Sequence, residues 1–223
     1  MELRDAMRTT GAVRAFTDEA VDDATVAAIL DDARFAPSGG NRQGWRVVVL
    51  KDRRSRVEIG ALMQSVWDEY IAASVAGRTP FSALEPAPNR QAAPAPRSPN
   101  ALLDHITSVP VVLVVAADLG RLAMMDKDLE RPPITGGASI YPFCWNVILA
   151  ARERGLGGVL TTFLSRAEPA ARPLLGLPPD HALAATIFLG HPLHQPTKLR
   201  RNEVPHFATV DRFDGSAFGK PSS

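Results

Sequence analysis

Three stretches of this chain hold residue types that do chemistry at useful spacing. The first is Arg8-Thr9-Thr10 followed by Arg14. Guanidinium, hydroxyl and backbone N–H groups gathered in so short a span make a seat for an anion, although two arginines near a chain start also suit an ordinary surface. The second is Ala36-Pro37-Ser38-Gly39-Gly40-Asn41-Arg42-Gln43-Gly44-Trp45, set between an amphipathic helix and an apolar run. A helix-to-strand connection needs only a few polar residues. This one carries two glycines, which let a ligand approach the backbone, and amide side chains that both donate and accept hydrogen bonds. A planar heterocycle with alternating acceptors and donors on its edge suits such a turn, and the plain alternative is a glycine helix stop. The third is Lys198-Leu199-Arg200-Arg201 in the tail, three cations in four residues, which hold a phosphate or simply stay solvated.

Equally informative is what is missing. No Ser–His pair, paired carboxylates or metal cluster stands out, so no side chain is singled out as catalytic. His191 and His194 have ligand-like spacing, but Pro192 between them denies the helix that would aim both rings together. The lone Cys144 lies in an apolar helix and reads as inert packing. Gly155-Leu156-Gly157-Gly158 precedes Val159-Leu160-Thr161-Thr162 without the spacing of a dinucleotide fingerprint. Its glycines are expected to bring the backbone of Leu160 to Thr162 close to something flat.

The totals set the frame. The 223 residues suffice for one domain, 45% are apolar, and 25 basic residues face 24 acidic ones. Nothing in that balance argues for nucleic acid or an anionic membrane surface, so any cationic site is local. The start of the chain lacks the apolar core of a secretory signal, and no apolar run approaches a membrane span, so a cytoplasmic protein is expected.

The elements that must position the three stretches follow from periodicity. Short helical character over 3–10 gives way to an extended piece at 12–16. Asp22 caps a helix whose stripe is Val26, Ile29, Leu30 and Ala33. Val47 to Leu50 is a strand without alternation, expected in the middle of a sheet, and Val109 to Ala116 is the strongest strand of all. Between them 53–76 is helical, with Val57, Leu62, Val66 and Tyr70 as a usable face. Residues 77–100 hold six prolines and form either a lid over a site or a disordered insert, with Phe81 and Leu84 as anchors if it is a lid. Pro142 opens a helix apolar nearly all round, and strands close the pattern at 159–162 and 182–189.

Taken together, these pieces resemble the FMN-dependent nitroreductase family, over almost the whole chain and most specifically in the turn Ala36 to Gln43. The resemblance implies an α+β fold, a mixed and mostly antiparallel sheet flanked by helices, in a single domain spanning 1–223. It implies an intertwined homodimer holding FMN at its interface, with NADH or NADPH as electron donor and a small electron-poor acceptor such as a quinone or nitroaromatic. By the same resemblance Arg8, Thr9, Thr10, Lys198 and Arg200 would clasp the FMN phosphate, and Arg14 would lie there or near the pyrimidine edge. Pro37, Ser38 and Gly39 would come from the second subunit to pack on the ring. Asn41 and Gln43 would reach the flavin or its ribityl chain, and backbone groups of Leu160, Thr161 and Thr162 would face the ring's N5 side. A flavin-sequestering protein without turnover, and a specialised member that dehalogenates or fragments its substrate, remain as alternatives. The chain departs from the family in the Thr-Gly-Ala stretch before Arg14, in Gly44 where a proline is common, and in its Pro-rich insert.

Overall fold

The fold is that of a computed structural model, in which residues 1–85 and 95–219 are described. Its elements are α1 (Leu3–Thr9), α2 (Asp23–Ala33), β1 (Trp45–Val49), α3 (Arg53–Val75), α4 (Ala101–Asp104), β2 (Val111–Asp118), α5 (Tyr141–Glu153), β3 (Gly157–Thr161), α6 (Phe163–Arg166), α7 (Glu168–Leu175) and β4 (His181–Gly190). The four strands form one antiparallel sheet in the order β1-β2-β4-β3. This is the α+β architecture, with an antiparallel sheet flanked by helices, that the family resemblance implies.

Helices cover both faces. On one, Val26, Ile29 and Ala33 of α2 meet Phe143, Cys144, Val147 and Ile148 of α5 over Leu113, Val115, Ile187 and Leu189. On the other, Ile59 and Met63 of α3, with Leu102, Leu103 and Leu164, cover Val112, Val114, Val159 and Phe188. β2 and β4 are therefore buried on both sides, which is why Val111 to Ala117 reads as a continuous apolar run. Asp22 caps α2 as its sequence position suggests, accepting from the Thr25 N–H at 2.7 Å.

Two expectations need correction. β1 is an edge strand of this sheet, paired only with β2, and Val48 and Val49 are 39% and 37% exposed. An apolar run of four residues has the same appearance at an edge as in the middle, because pairing is decided by distant strands. The buried face of α3 runs through Ile59, Gly60, Met63, Gln64 and Val66, leaving Val57 and Tyr70 exposed. Gly60 belongs to that face because a Cβ there would stand 3.0 Å from Ile106.

Of the Pro-rich stretch, 86–94 lies outside the described residues, so its reading as a lid or a disordered insert falls there. Its flanks are fixed. Phe81 adopts a left-handed backbone (φ 52°), stands 6.5 Å from the Tyr70 ring and lies under the Arg166 guanidinium at 4.8 Å, whereas Leu84 projects into solvent. On the returning side Gln64 donates to the Ser98 carbonyl, Asp68 accepts from the Ser98 N–H and the Trp67 indole donates to the Pro99 carbonyl.

Candidate functional site

The two chain ends meet beside β3. The Gly11 N–H donates to the Pro196 carbonyl at 3.2 Å, and the Gln195 amide donates to the Gly11 carbonyl at 3.1 Å. Val13 donates to Gly158, Leu193 donates to Ala15, and Phe16 bridges Pro192, so the piece over 12–17 threads between β3 and the tail. Gly11 is required here, since a Cβ would sit 2.7 Å from the Pro196 oxygen. This junction carries the short segments of Arg8 and Arg14 from one side and of Lys198 and Arg200 from the other. All four side chains are exposed, and among the described residues none is paired with a carboxylate. The threonines are less free. Thr9 and Thr10 donate their hydroxyls to the carbonyls of Asp5 and Ala6, both at 2.7 Å, and Thr10 is buried. Either hydroxyl would have to leave α1 before donating to a ligand.

Leu160, Thr161 and Thr162 close β3 and lead into α6. The Thr161 hydroxyl is buried without a hydrogen-bond partner, as is that of Thr186 directly across the strand pair. The glycines before them serve the protein itself. A Cβ on Gly157 would lie 2.6 Å from Val13, and one on Gly158 would lie 2.5 Å from Leu189 and 2.9 Å from the Phe188 oxygen. They allow β3 to close against its neighbours.

The turn from Ala36 to Trp45 lies at the other end of the sheet. α2 stops at Ala33 with Arg34 still in right-handed geometry, so Gly39 and Gly40 are not its stop. Instead Gly40, Asn41 and Gln43 all take left-handed backbone, at φ 60°, 52° and 49°. For Gln43 that geometry costs conformational energy, and strain of this kind gathers at functional sites. Ser38 holds the turn by accepting from the Gln43 N–H at 3.0 Å, and Ser139 accepts from the Gly39 N–H at 3.0 Å. The Gln43 amide donates to the Asn41 side chain at 3.2 Å. Trp45 anchors the base, stacked on Phe143 with ring centroids 4.8 Å apart. Pro37 is exposed. Gly40 to Gln43, with Trp45, Arg46 and Arg121, line a hollow of about 530 Å³.

Sequence reasoning missed the anchor of this end, Asp126. Its carboxylate accepts from Arg131 at 2.7 Å, from the Ile134 N–H at 2.8 Å and from the Thr135 N–H and hydroxyl at 3.2 and 2.5 Å. These donors, the Thr135 hydroxyl foremost, hold its pKa well below the usual carboxylate range. The bonds shape the segment that leads to Ser139 and hence to Gly39. Cys144 is fully buried and its thiol is pushed up to about 12 by burial, so it is no nucleophile. Among the described residues no group of three His, Cys, Asp or Glu side chains could hold a metal ion, and no helix is long and apolar enough to cross a membrane.

The predicted residues thus fall into two sets. Val111, at the start of β2, pairs with Leu189 beside the junction of the chain ends, and Ala117, near its finish, pairs with Trp45. At ~3.3 Å per residue the six steps from Val111 to Ala117 separate those ends by roughly 20 Å along the strand. The chain brings the segments of Arg8, Arg14, Lys198 and Arg200 to one end of β2 and puts Ser38 to Gln43 at the other.

Residues 7–191 match the model of the nitroreductase family, and the fold agrees with it. The chain belongs to that family. It is 31% identical over 180 residues to a 5,6-dimethylbenzimidazole synthase of Rhodospirillum rubrum, covering 81% of this chain and 77% of that one. It is 29% identical over 204 residues to a nitrobenzene nitroreductase of Ectopseudomonas oleovorans, covering 84% and 86%. Its fold matches iodotyrosine deiodinase bound to FMN and 3-iodo-L-tyrosine with a TM-score of 0.65 at 21% identity, covering 95% of this chain and 100% of that chain.

Proposed function

We propose that the protein is an FMN-dependent NAD(P)H oxidoreductase acting as a homodimer on electron-poor acceptors such as quinones or nitroaromatics. The observation that carries this reading is that the two residue sets lie at opposite ends of β2, roughly 20 Å apart along the strand. A phosphate grip and a ring-covering turn that far apart complete one flavin site only if the turn comes from a second subunit. The residues present fit the cofactor. The cations of Arg8, Arg14, Lys198 and Arg200 are not spent on carboxylates, and a phosphate needs such donors. The unpartnered Thr161 hydroxyl and the backbone of Leu160 to Thr162 offer polar groups at the end of β3. When bound, FMN supplies the hydride chemistry.

The protein's own part is binding and orientation. The paired basic segments fix the phosphate, and the braced Ser38–Gln43 turn of the other subunit presents small residues and amides to the ring. Pro37, Ser38 and Gly39 pack on it, and Asn41 and Gln43 bond to the flavin or its side chain. Phe81 lies against Arg166 of α6, the helix that follows Thr162, and from there it bears on the choice of acceptor.

The test is direct. The purified protein is expected to be yellow, dimeric, and bleached by NADPH or NADH under anaerobic conditions, with colour restored by a quinone or nitroaromatic. A colourless monomer that takes up no FMN would sink the proposal. A yellow protein that neither nucleotide reduces would instead identify a flavin-holding protein. The Rhodospirillum relative, a 5,6-dimethylbenzimidazole synthase, supports a second reading, a specialised member that fragments its substrate, which shows as release of that compound from the reduced protein in air.

A further inference from the structure

The hollow beside the Ala36–Trp45 turn has a charge pattern that flavin binding does not use. Three guanidiniums, those of Arg42, Arg46 and Arg121, line it, and the nearest carboxylate is that of Asp118. Asp118 is shared: Arg121 Nε lies 3.1 Å from it and Arg46 Nη2 lies 3.8 Å from it. Arg121 also donates to the Arg42 carbonyl at 3.3 Å and Arg46 to the Trp45 carbonyl at 2.9 Å, so both are tied to the walls. Arg42 has no side-chain partner among the described residues and curls over Gly40, where a Cβ would stand 3.6 Å from its guanidinium carbon. Three cations against one carboxylate leave the hollow net positive, in a concave space large enough for a nucleotide-sized group. Planar guanidiniums match phosphate oxygens two at a time.

We propose that this hollow seats a phosphate group of the reducing dinucleotide. The inference rests on the flavin reading above, which places the turn over the partner's flavin ring and the flavin phosphate at the far end of the sheet. An anion held beside the turn then belongs to whatever approaches the ring. The reducing nucleotide brings two such groups, its pyrophosphate and, in NADPH, a 2′-phosphate. Arg42 supplies the free charge, and Arg121, held by Asp118 and by the Arg42 carbonyl, sets the geometry.

Titration calorimetry on the FMN-loaded protein with 2′,5′-ADP, 5′-ADP and adenosine tests this without any turnover. At least one of the two phosphorylated probes is expected to bind ten-fold or more tighter to the wild type than to Arg42→Gln/Arg121→Gln, with the difference shrinking as salt rises, and adenosine is expected not to discriminate. A preference for 2′,5′-ADP assigns the seat to the 2′-phosphate and predicts a variant that loses NADPH efficiency while keeping NADH efficiency. A preference for 5′-ADP assigns it to the pyrophosphate and predicts equal losses with both. Arg42→Gln alone, whose side chain braces nothing, serves as the control for folding and should give part of the loss. Equal affinity of wild type and double variant for both phosphorylated probes overturns the proposal, as does a double variant that loses FMN while its nucleotide affinity stays intact. The binding result stands apart from the flavin reading, because a protein that neither nucleotide reduces would still show or lack the arginine-dependent affinity.

Discussion

The two ends of the sheet hold their cations in opposite ways. Where Gly157 meets Gly190, the basic side chains are exposed and free of carboxylates, and the structure is spent on bringing backbones together. Where Trp45 meets Ala117, Arg46 and Arg121 share one acid, the turn is strained, and a buried carboxylate organises the approach. The first end leaves its cations without carboxylate partners among the described residues, and the second ties its own to a shared acid beside a braced turn.

That contrast can be broken by substitution. The largest effect is expected from Lys198→Ala with Arg200→Ala, which should weaken FMN retention by roughly 2–5 kcal/mol, read as the dissociation constant from flavin fluorescence. The melting temperature of the flavin-free protein should stay unchanged, and unchanged retention would reduce the tail to a solvated surface. Gly158→Val comes next. Its side chain would collide with Leu189 and the Phe188 carbonyl, an overpacking cost of about 1–3 kcal/mol read by denaturant unfolding. A neutral result would mean the glycine serves a ligand after all.

At the other end, Asp126→Asn should lower the melting temperature at neutral pH. The pKa of the native carboxylate is held below its ordinary value, so its stabilising effect is present above about pH 4 and fades as pH falls further. Melting curves of the two proteins should therefore converge in acid; a constant gap would assign the loss to shape alone. The smallest effect is none. Cys144, with its thiol raised to about 12, should not react with a thiol reagent at pH 8 in the native protein, and should react once in denaturant.

Much of this was legible in the residues. The Ala36–Gln43 turn announced itself because it carries more hydrogen-bonding chemistry than a connection needs, and Asp22 because capping is a local matter. The buried strand over 111–117 was visible through its unbroken apolar character. The edge position of β1 was not, since a strand's place in a sheet depends on partners far along the chain. The packing role of Gly157 and Gly158 was not legible, because glycine gives one signal for two causes: approach of a ligand and approach of Val13 or Leu189. Asp126 was hidden for a different reason. Two of its donors are backbone N–H groups, which every residue but proline has, so no side-chain pattern marks them. Arg42, Arg46 and Arg121 escaped notice because the third lies 75 positions beyond the second and only the pairing of β1 with β2 brings them together.

The Gly11–Pro196 contact bears on where this protein can be cut. The stretch matched by the family pattern closes at His191, yet Gln195 and Pro196 form the wall on which the first residues lean. A version trimmed at that boundary would keep every strand and still release its own beginning, freeing Arg8 and Arg14 to wander. The packed unit reaches at least to Leu199, and its opening and closing segments stand or fall as one piece.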